Sequence, residues 1–502
     1  MASDPAGSPG GTADAVDRYL CSYAHLSPSF ARYVVNELTA PGLRSVGPAF
    51  GVDLIALVRH ASTAYRRSLL MRCLLAANLV LLVLAVMLLL TVDPLWFGQA
   101  VGVLMTAAVC VGLVLPYGIV LTTMIVAHRS AQRVNGAGGQ LRDLASPADP
   151  AVERRLAEVM ESNVVVFRGG WPFDGCGLPL GSWSIDVDAT KAATDPAGNP
   201  RQVEPFDAVD LHRELTRAVR AAGIADLRVH NRLFVGGTGV AAVPTLLPDP
   251  FDRPASRVDP KALRLGIAKP RPDARTYLCI EKFSWRGELV VSLFVRVGLA
   301  AGDLFVEGHA FVLLPIRAEM CALDRLARNT HEVIWYALRD TGRSAWRLLV
   351  RSPLELLHIG LLDLGRSRTL AADRRRVRRA QALDRGAATN IRDLAADRER
   401  IFLFAYADEE MTLNALRRRV LTGIERFLDQ HGVDTTQFNQ DRSKINNTNY
   451  NIQTALANTM AIGTNAQATA PVGPTGQPAL ASTSPTTPPT GPGLTLPWAG
   501  TP

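Results

Sequence analysis

The segments "CLLAANLVLLVLAVMLLLTV" (Cys73–Val92) and "AVGVLMTAAVCVGLVLPYGIVLTTMIVA" (Ala100–Ala127) hold no charged residue and decide the architecture of the chain. At about 1.5 Å per helical residue the first covers roughly 30 Å, the thickness of a bilayer hydrocarbon core, and the second leaves length for tilt. They predict a two-helix transmembrane hairpin within residues 67–128. Asn78 and Pro116 stand out inside it. An amide in hydrocarbon needs a partner and a proline within a helix frees a carbonyl, so the two read as helix packing and a kink. No Asp, Glu, Lys or Arg lies at membrane depth, which leaves a channel or ion-coupled transporter little to work with.

Charge placement sets the expected topology. Arg59, Arg66, Arg67 and Arg72 precede the first span, Arg129, Arg133 and Arg142 follow the second, and the loop Asp93–Gln99 has no Lys or Arg. The positive-inside rule then puts both termini on the cytoplasmic side of the cell membrane, with Trp96 and Phe97 at the outer interface. A signal peptide is not expected, because no short charged region opens the chain and a second span follows the first at once. The formal net charge is +8 and almost all of the basic side chains are arginine, a bias typical of a GC-rich genome. Cys21, Cys73, Cys110, Cys176, Cys279 and Cys321 form no CxxC pair, so free thiols are expected, with neither a disulfide framework nor zinc.

Around the hairpin the chain reads as α+β. Residues 1–12 are expected to be disordered, 13–66 to form a small helical region, and 129–162 a helical connector. Residues 163–316 read as an α/β domain that faces the cytoplasm, with strands "NVVVF" and "SWSIDVD", a helix at 205–222, and an antiparallel meander from "RTYLCIEKFSW" through "GELVVSLFVRVGL" to "DLFVEGHAFVLL". Residues 317–432 read as helical, with pieces at 317–340 and 344–363, the second of which packs on that domain or lies on a membrane or in a groove. The helix at 408–430 carries Leu413, Leu416, Val420, Ile424, Phe427 and Leu428 on one stripe. Residues 433–470 read as β-like, and 471–502, rich in Pro, Thr and Gly, as a disordered tail. No charged side chain follows Lys444.

Four constellations are candidates for chemistry. The loop Arg168–Gly181 is glycine-rich enough for backbone amides to approach a phosphate, but it lacks the spacing of a phosphate loop and no helix start follows it, so it reads better as a long structural loop. Asp186 and Asp188 project from one strand face, as paired metal ligands would or as a solvated face would. His212, His230 and His309 with Glu281 and Glu307 offer imidazole and carboxylate without a local catalytic signature, and read as surface or edge residues. Arg374, Arg375, Arg376, Arg378 and Arg379 form a run that either contacts anionic lipid headgroups or makes a solvated helix face. Nucleic acid is not expected as a partner, because no aromatic residues interleave with those arginines.

Gly169-Gly170 followed by Asp186 and Asp188 resembles the polymerase-beta-like nucleotidyltransferases, which hold magnesium on a DxD pair after a glycine turn. The resemblance implies a magnesium-dependent enzyme acting on nucleotides or phosphoesters. It departs from that pattern where the family has a helix and this chain has Pro172, Pro179 and several glycines. The tail segment "MAIGTNAQATA" resembles the head repeat of trimeric autotransporter adhesins, and so implies assembly through the C-terminal tail. The order of N-terminal helices, hairpin, "NVVVFRGGWPFDGCG" and arginine-rich helices resembles uncharacterised membrane-anchored proteins of GC-rich Gram-positive bacteria, for which no activity is known. The sequence therefore leads to a membrane-anchored binding protein, a scaffold or sensor, with the lipid bilayer, a further protein and its own copies as partners. No catalytic residue, cofactor or metal is assigned on that reading, and the magnesium enzyme is its alternative.

Overall fold

The computed structural model describes residues 14–91, 94–137, 141–243, 245–321, 330–387, 390–398 and 403–447. The N-terminal helices are α1 (Asp14–Leu26), α2 (Pro28–Thr39), α3 (Leu54–Thr91), α4 (Pro94–Asn135) and α5 (Pro150–Met160). A mixed sheet follows, with strands β1 (Val164–Phe167), β2 (Leu178–Asp188), β3 (Leu227–Gly236), β4 (Ala274–Ser284), β5 (Leu289–Ala300) and β6 (Asp303–Leu313). Between and after the strands come helices α6 (Ala208–Arg220), α7 (Pro260–Ala268), α8 (Ala318–Cys321), α9 (Thr330–Arg378), α10 (Ile391–Leu394), α11 (Leu403–Gln430) and α12 (Thr436–Asn447). The tail segment "MAIGTNAQATA", the Pro/Thr/Gly tail and residues 1–12 lie outside the described residues.

The N-terminal cap is built by capping chemistry and one apolar contact. Ser27 accepts a hydrogen bond from Phe30 N at 3.3 Å and Pro28 opens α2, while Asp53 accepts from Ile55 N and Ala56 N to open α3. Leu20, Phe30, Val34 and Leu38 then bury against Leu57, Val58 and Ala61 of α3. On the other side Arg59 holds Glu153 of α5 through two bonds of 2.7 Å, which fastens the connector to α3. Beneath the cap, His25 Nε2 and His60 Nδ1 meet at 3.0 Å, and burial holds the His25 imidazole down at about 3, with His60 and Arg67 adding to the effect.

Helices α3 and α4 form the hairpin. They are 38 and 42 residues long, roughly 57 and 63 Å, so each extends well past a bilayer core at one end. Asn78 and Pro116, two separate features in the sequence, meet in space. Pro116 has no N–H to give the carbonyl four residues before it, which is that of Gly112. Asn78 Nδ2 donates to Gly112 O at 3.0 Å and supplies the missing bond from the other helix.

Residues 330–378 form one helix, where two shorter ones were expected, and α9 lies on the hairpin instead of on the α/β domain. Ala345 and Leu349 pack against Met71, Leu75 and Val120, and Arg72 pairs with Glu355 at 2.7 Å. Pro353, which reads as a break, is tolerated because Ser352 Oγ donates to Leu349 O at 2.9 Å, the carbonyl that the proline leaves without its N–H. Small side chains at Ala345 and Ser352 allow the close approach, and both are buried.

The sheet order is β1-β3-β4-β5-β6-β2, with β1 parallel to β3 and every other pair antiparallel. The expected meander is β4-β5-β6. Its second turn, Ala301-Gly302, has positive φ at both central residues (54° and 98°), the conformation a tight hairpin demands. One face of the sheet is covered by α6 and α11, where Leu211, Leu215, Leu416, Val420 and Ile424 meet Ile280, Val291 and Leu293. The stripe read on α11 is buried throughout, from Leu413 to Leu428. Residues 436–447 are helical where an extended segment was expected. Asp434 accepts from Thr436 N to open α12, and Phe438 and Ile445, seven positions apart and so on one helical face, enter the same core.

Candidate functional site

The second face of the sheet joins an aromatic cluster to a band of ionised groups. Alternation along β4 sends Tyr277, Cys279, Glu281 and Phe283 to this face, where all four are buried. Glu281 is 2% exposed and receives Arg232 Nη1 from β3 at 2.7 Å, with His230 Nε2 at 3.5 Å. Burial alone would raise the Glu281 carboxyl, but Arg232 and His230 outweigh it and hold it at about 2. Farther along, Glu307 accepts from Tyr277 Oη at 3.0 Å and from Arg296 Nε, and these bonds keep it below the usual carboxylate range against the pull of burial. Burial pushes the His309 imidazole down, against the opposing pull of the Glu307 carboxylate.

Of the histidines and glutamates expected at surface or edge positions, His212 and Glu281 are buried, while His230, Glu307 and His309 are half-buried. His212 is 2% exposed, its Nε2 against Asn231 Oδ1 at 2.8 Å, and burial lowers its pKa. The alternation of His230, Glu281, Glu307 and His309 along their strands was visible in sequence. The signal that could have placed Glu281 inside is Arg232, a basic residue within an apolar strand, which sequence reading passed over.

The glycine-rich loop is a lid over this face. Phe173 is 3% exposed, and its ring centroid lies 5.0 Å from those of Phe294 and Phe311 and 5.4 Å from Tyr277. Two glycines are demanded by close approach: a Cβ at Gly177, where φ is 100°, would lie 2.1 Å from Val312 O, and one at Gly175 would lie 2.7 Å from Asn390 Cβ. Gly169 N donates to Asp384 Oδ2 at 3.3 Å, so this amide is used by the protein's own carboxylate.

Gly169-Gly170 and the pair Asp186, Asp188 are not brought together. The glycines follow β1 and the aspartates lie on β2, at opposite edges of the six-stranded sheet. Both carboxylates are exposed, and Asp188 caps its own turn, accepting from Thr190 N at 2.9 Å and from the Thr190 hydroxyl, which holds its pKa down. Among the described residues no group of three or more His, Cys, Asp or Glu is placed to hold a metal ion.

The arginine run ends α9. Arg374, Arg375, Arg376, Arg378 and Arg379 are all exposed, with Arg376 beside Asp373 at 3.7 Å. Arg374 lies nineteen residues beyond Glu355, the partner of Arg72, or roughly 29 Å along the helix. Because α9 runs antiparallel to α3 from that point, the run is carried away from the apolar spans. Nearer to them, Trp335, Leu338, Trp346, Val350 and Leu354 of α9 are exposed apolar side chains beside the hairpin.

One further concave site was not anticipated. Between α6 and α7, beside Leu227–Arg232 of β3, lies a groove of about 720 Å³. The four-residue β1 pairs only with Leu233–Gly236, which leaves that half of β3 without a neighbour on one side. Arg213, Arg217 and Arg220, one helical turn apart on α6, line the groove, and Arg264 of α7 faces them. Their spacing on α6 was legible in sequence; the meeting with Arg264 is a product of the fold.

A family model described as an AbeC-like domain matches residues 182–463, more than half of the 502-residue chain. No curated protein and no solved structure matches the chain. The matched region opens inside β2 and takes in α6, β3 to β6, α9, α11 and α12, so it holds the ionised band, the groove and Asp186 and Asp188, while the hairpin and Gly169-Gly170 precede it. The chain carries two N-terminal helices long and apolar enough to cross a membrane, followed by this mixed α+β region, and it belongs to the AbeC-like domain family.

Proposed function

We propose that this is a two-pass protein of the cell membrane whose C-terminal bulk faces the cytoplasm and works by binding, as a scaffold or sensor. The observation that carries the reading is the uncovered hairpin. Within the most apolar windows of α3 and α4 only 11% and 17% of the residues are buried by the rest of the chain. A core helix of a water-soluble protein would bury that stripe, and leaving Leu81, Leu84, Leu90, Leu104 and Val114 in water is opposed at about 25 cal/mol per Å² of apolar surface. Hydrocarbon removes the cost. The exposed Trp346 of α9, flanked by Ala345 and Leu349 where they meet Met71 and Leu75, suits the headgroup level at the start of the first span, and through α9 the anchor would be coupled mechanically to the binding region.

Partners on this reading are the bilayer, a protein partner in the cytoplasm, and further copies of the chain joined through the tail. Light scattering on the detergent-solubilised full chain tests the last. The comparison chain is cut after Asn447, since α12 is packed into the sheet core and removal at Gly432 would expose Leu416 and Ile424. A defined oligomer that falls to monomer on truncation is expected. Monomers in both cases would remove assembly through the tail.

A further inference from the structure

The groove between α6 and α7 has the composition of an anion site. Four guanidinium groups line it and no Asp or Glu does. Concentrating like charge in a concave wall is unfavourable unless something of opposite sign enters. Arg213 and Arg217 are paired one turn back with Asp210 and Glu214, in exposed contacts of the kind that exchange readily. Arg220 donates to Val229 O at 3.0 Å and keeps the rest of its guanidinium free to turn inward. Arg264 is exposed and makes no hydrogen bond or ion pair among the described residues.

The inner wall is polar. His212 lines it at 2% exposure, and its Nδ1 has no hydrogen-bond partner among the described residues. Thr216 and Asn231 add a hydroxyl and an amide, and Val209 and Ile267 add apolar surface.

We propose that this groove binds a phosphate-bearing molecule of nucleotide size, its phosphates clamped by Arg213, Arg217, Arg220 and Arg264 and its remaining part set against His212, Thr216 and Asn231. The planar guanidinium fork matches phosphate oxygens two at a time, and a volume of about 720 Å³ falls within the range of small-molecule sites. The inference names the ligand class of the sensor and rests on the binding reading above. The same phosphate chemistry is presented by a free nucleotide and by a lipid headgroup.

The test is calorimetry on the full chain in neutral detergent, which does not depend on where the protein sits in a cell. ATP in EDTA, pyrophosphate and a water-soluble short-chain phosphatidylglycerol are the titrants. Saturable binding of ATP, displaced by pyrophosphate and weakened at least tenfold by Arg264→Glu and by Arg213→Glu, is expected. Arg286→Glu, on the β4–β5 turn, should leave it unchanged. Arg264→Gln, which only removes charge from an exposed side chain, serves if a glutamate variant fails to fold. Binding of the short-chain lipid alone, with the same dependence on Arg264 and Arg213, supports the phosphate site and assigns it to a headgroup. Absence of binding by all three titrants, or binding indifferent to Arg264 and Arg213, overturns the proposal.

Discussion

Arg232→Ala is expected to cost about 3–5 kcal/mol of stability, because it leaves Glu281 as an unpaired charge at 2% exposure with only His230, 3.5 Å away, to face it. Urea unfolding of the solubilised chain, followed by near-ultraviolet circular dichroism, measures the loss. Replacing the pair together, as Arg232→Met with Glu281→Leu, should recover most of it, since apolar groups of similar volume need no desolvated charge. The cost also depends on pH in a set direction. Glu281 sits at about 2 in the folded protein against about 4.3 in an unfolded chain, so the pair's contribution is complete above about 4.3 and is lost as pH falls through 2. The gap between the parent and Arg232→Ala should therefore narrow on acidification. A gap that stays constant down to pH 2, or a single variant as stable as the double one, would remove the buried pair from the account.

Phe173→Ala is the second large effect, at about 3–5 kcal/mol, the cost of emptying an aromatic site inside a packed cluster. Phe173 is the ring by which the Arg168–Gly177 loop enters the sheet face, within 5.0 Å of Phe294, Phe311 and His309 between ring centroids. Without it the loop should also become open to protease. Trp171, two residues earlier and 41% exposed, should cost under about 1 kcal/mol when replaced by alanine. Equal effects at the two positions would mean that the loop is not a lid.

Much of this architecture is written in local pattern. The spans show as unbroken apolar runs, the meander as alternation, and α11 as a stripe from Leu413 to Leu428 that is buried as the period requires. What local pattern does not carry is the pairing of distant features. Asn78 and Pro116 each announce an unmet hydrogen bond, yet that they satisfy one another depends on the register of two helices. In α9 the arginines at 347 and 351 and the proline at 353 mask a buried face made of Ala345, Leu349 and Ser352, whose partners Met71, Leu75 and Val120 lie on the hairpin, far back in the chain. The histidines were read as peripheral because a lone imidazole has no sequence mark of burial; His212 on α6 is buried beside Asn231, and His230 on β3 is half-buried beside Glu281 and Arg232. The separation of Gly169-Gly170 from Asp186 and Asp188 follows from strand order, which a single sequence does not fix.

Membrane anchorage is the claim on which the rest depends, and alkaline carbonate extraction of cell membranes tests it most directly. Carbonate strips proteins held by charge or by other proteins and leaves those whose helices cross the bilayer. The full chain is expected wholly in the membrane pellet, released only by detergent, while the same chain with Leu81, Leu84, Val111 and Val114 changed to Asp should be lost from that pellet. Recovery of the full, folded chain in the carbonate supernatant would contradict the account.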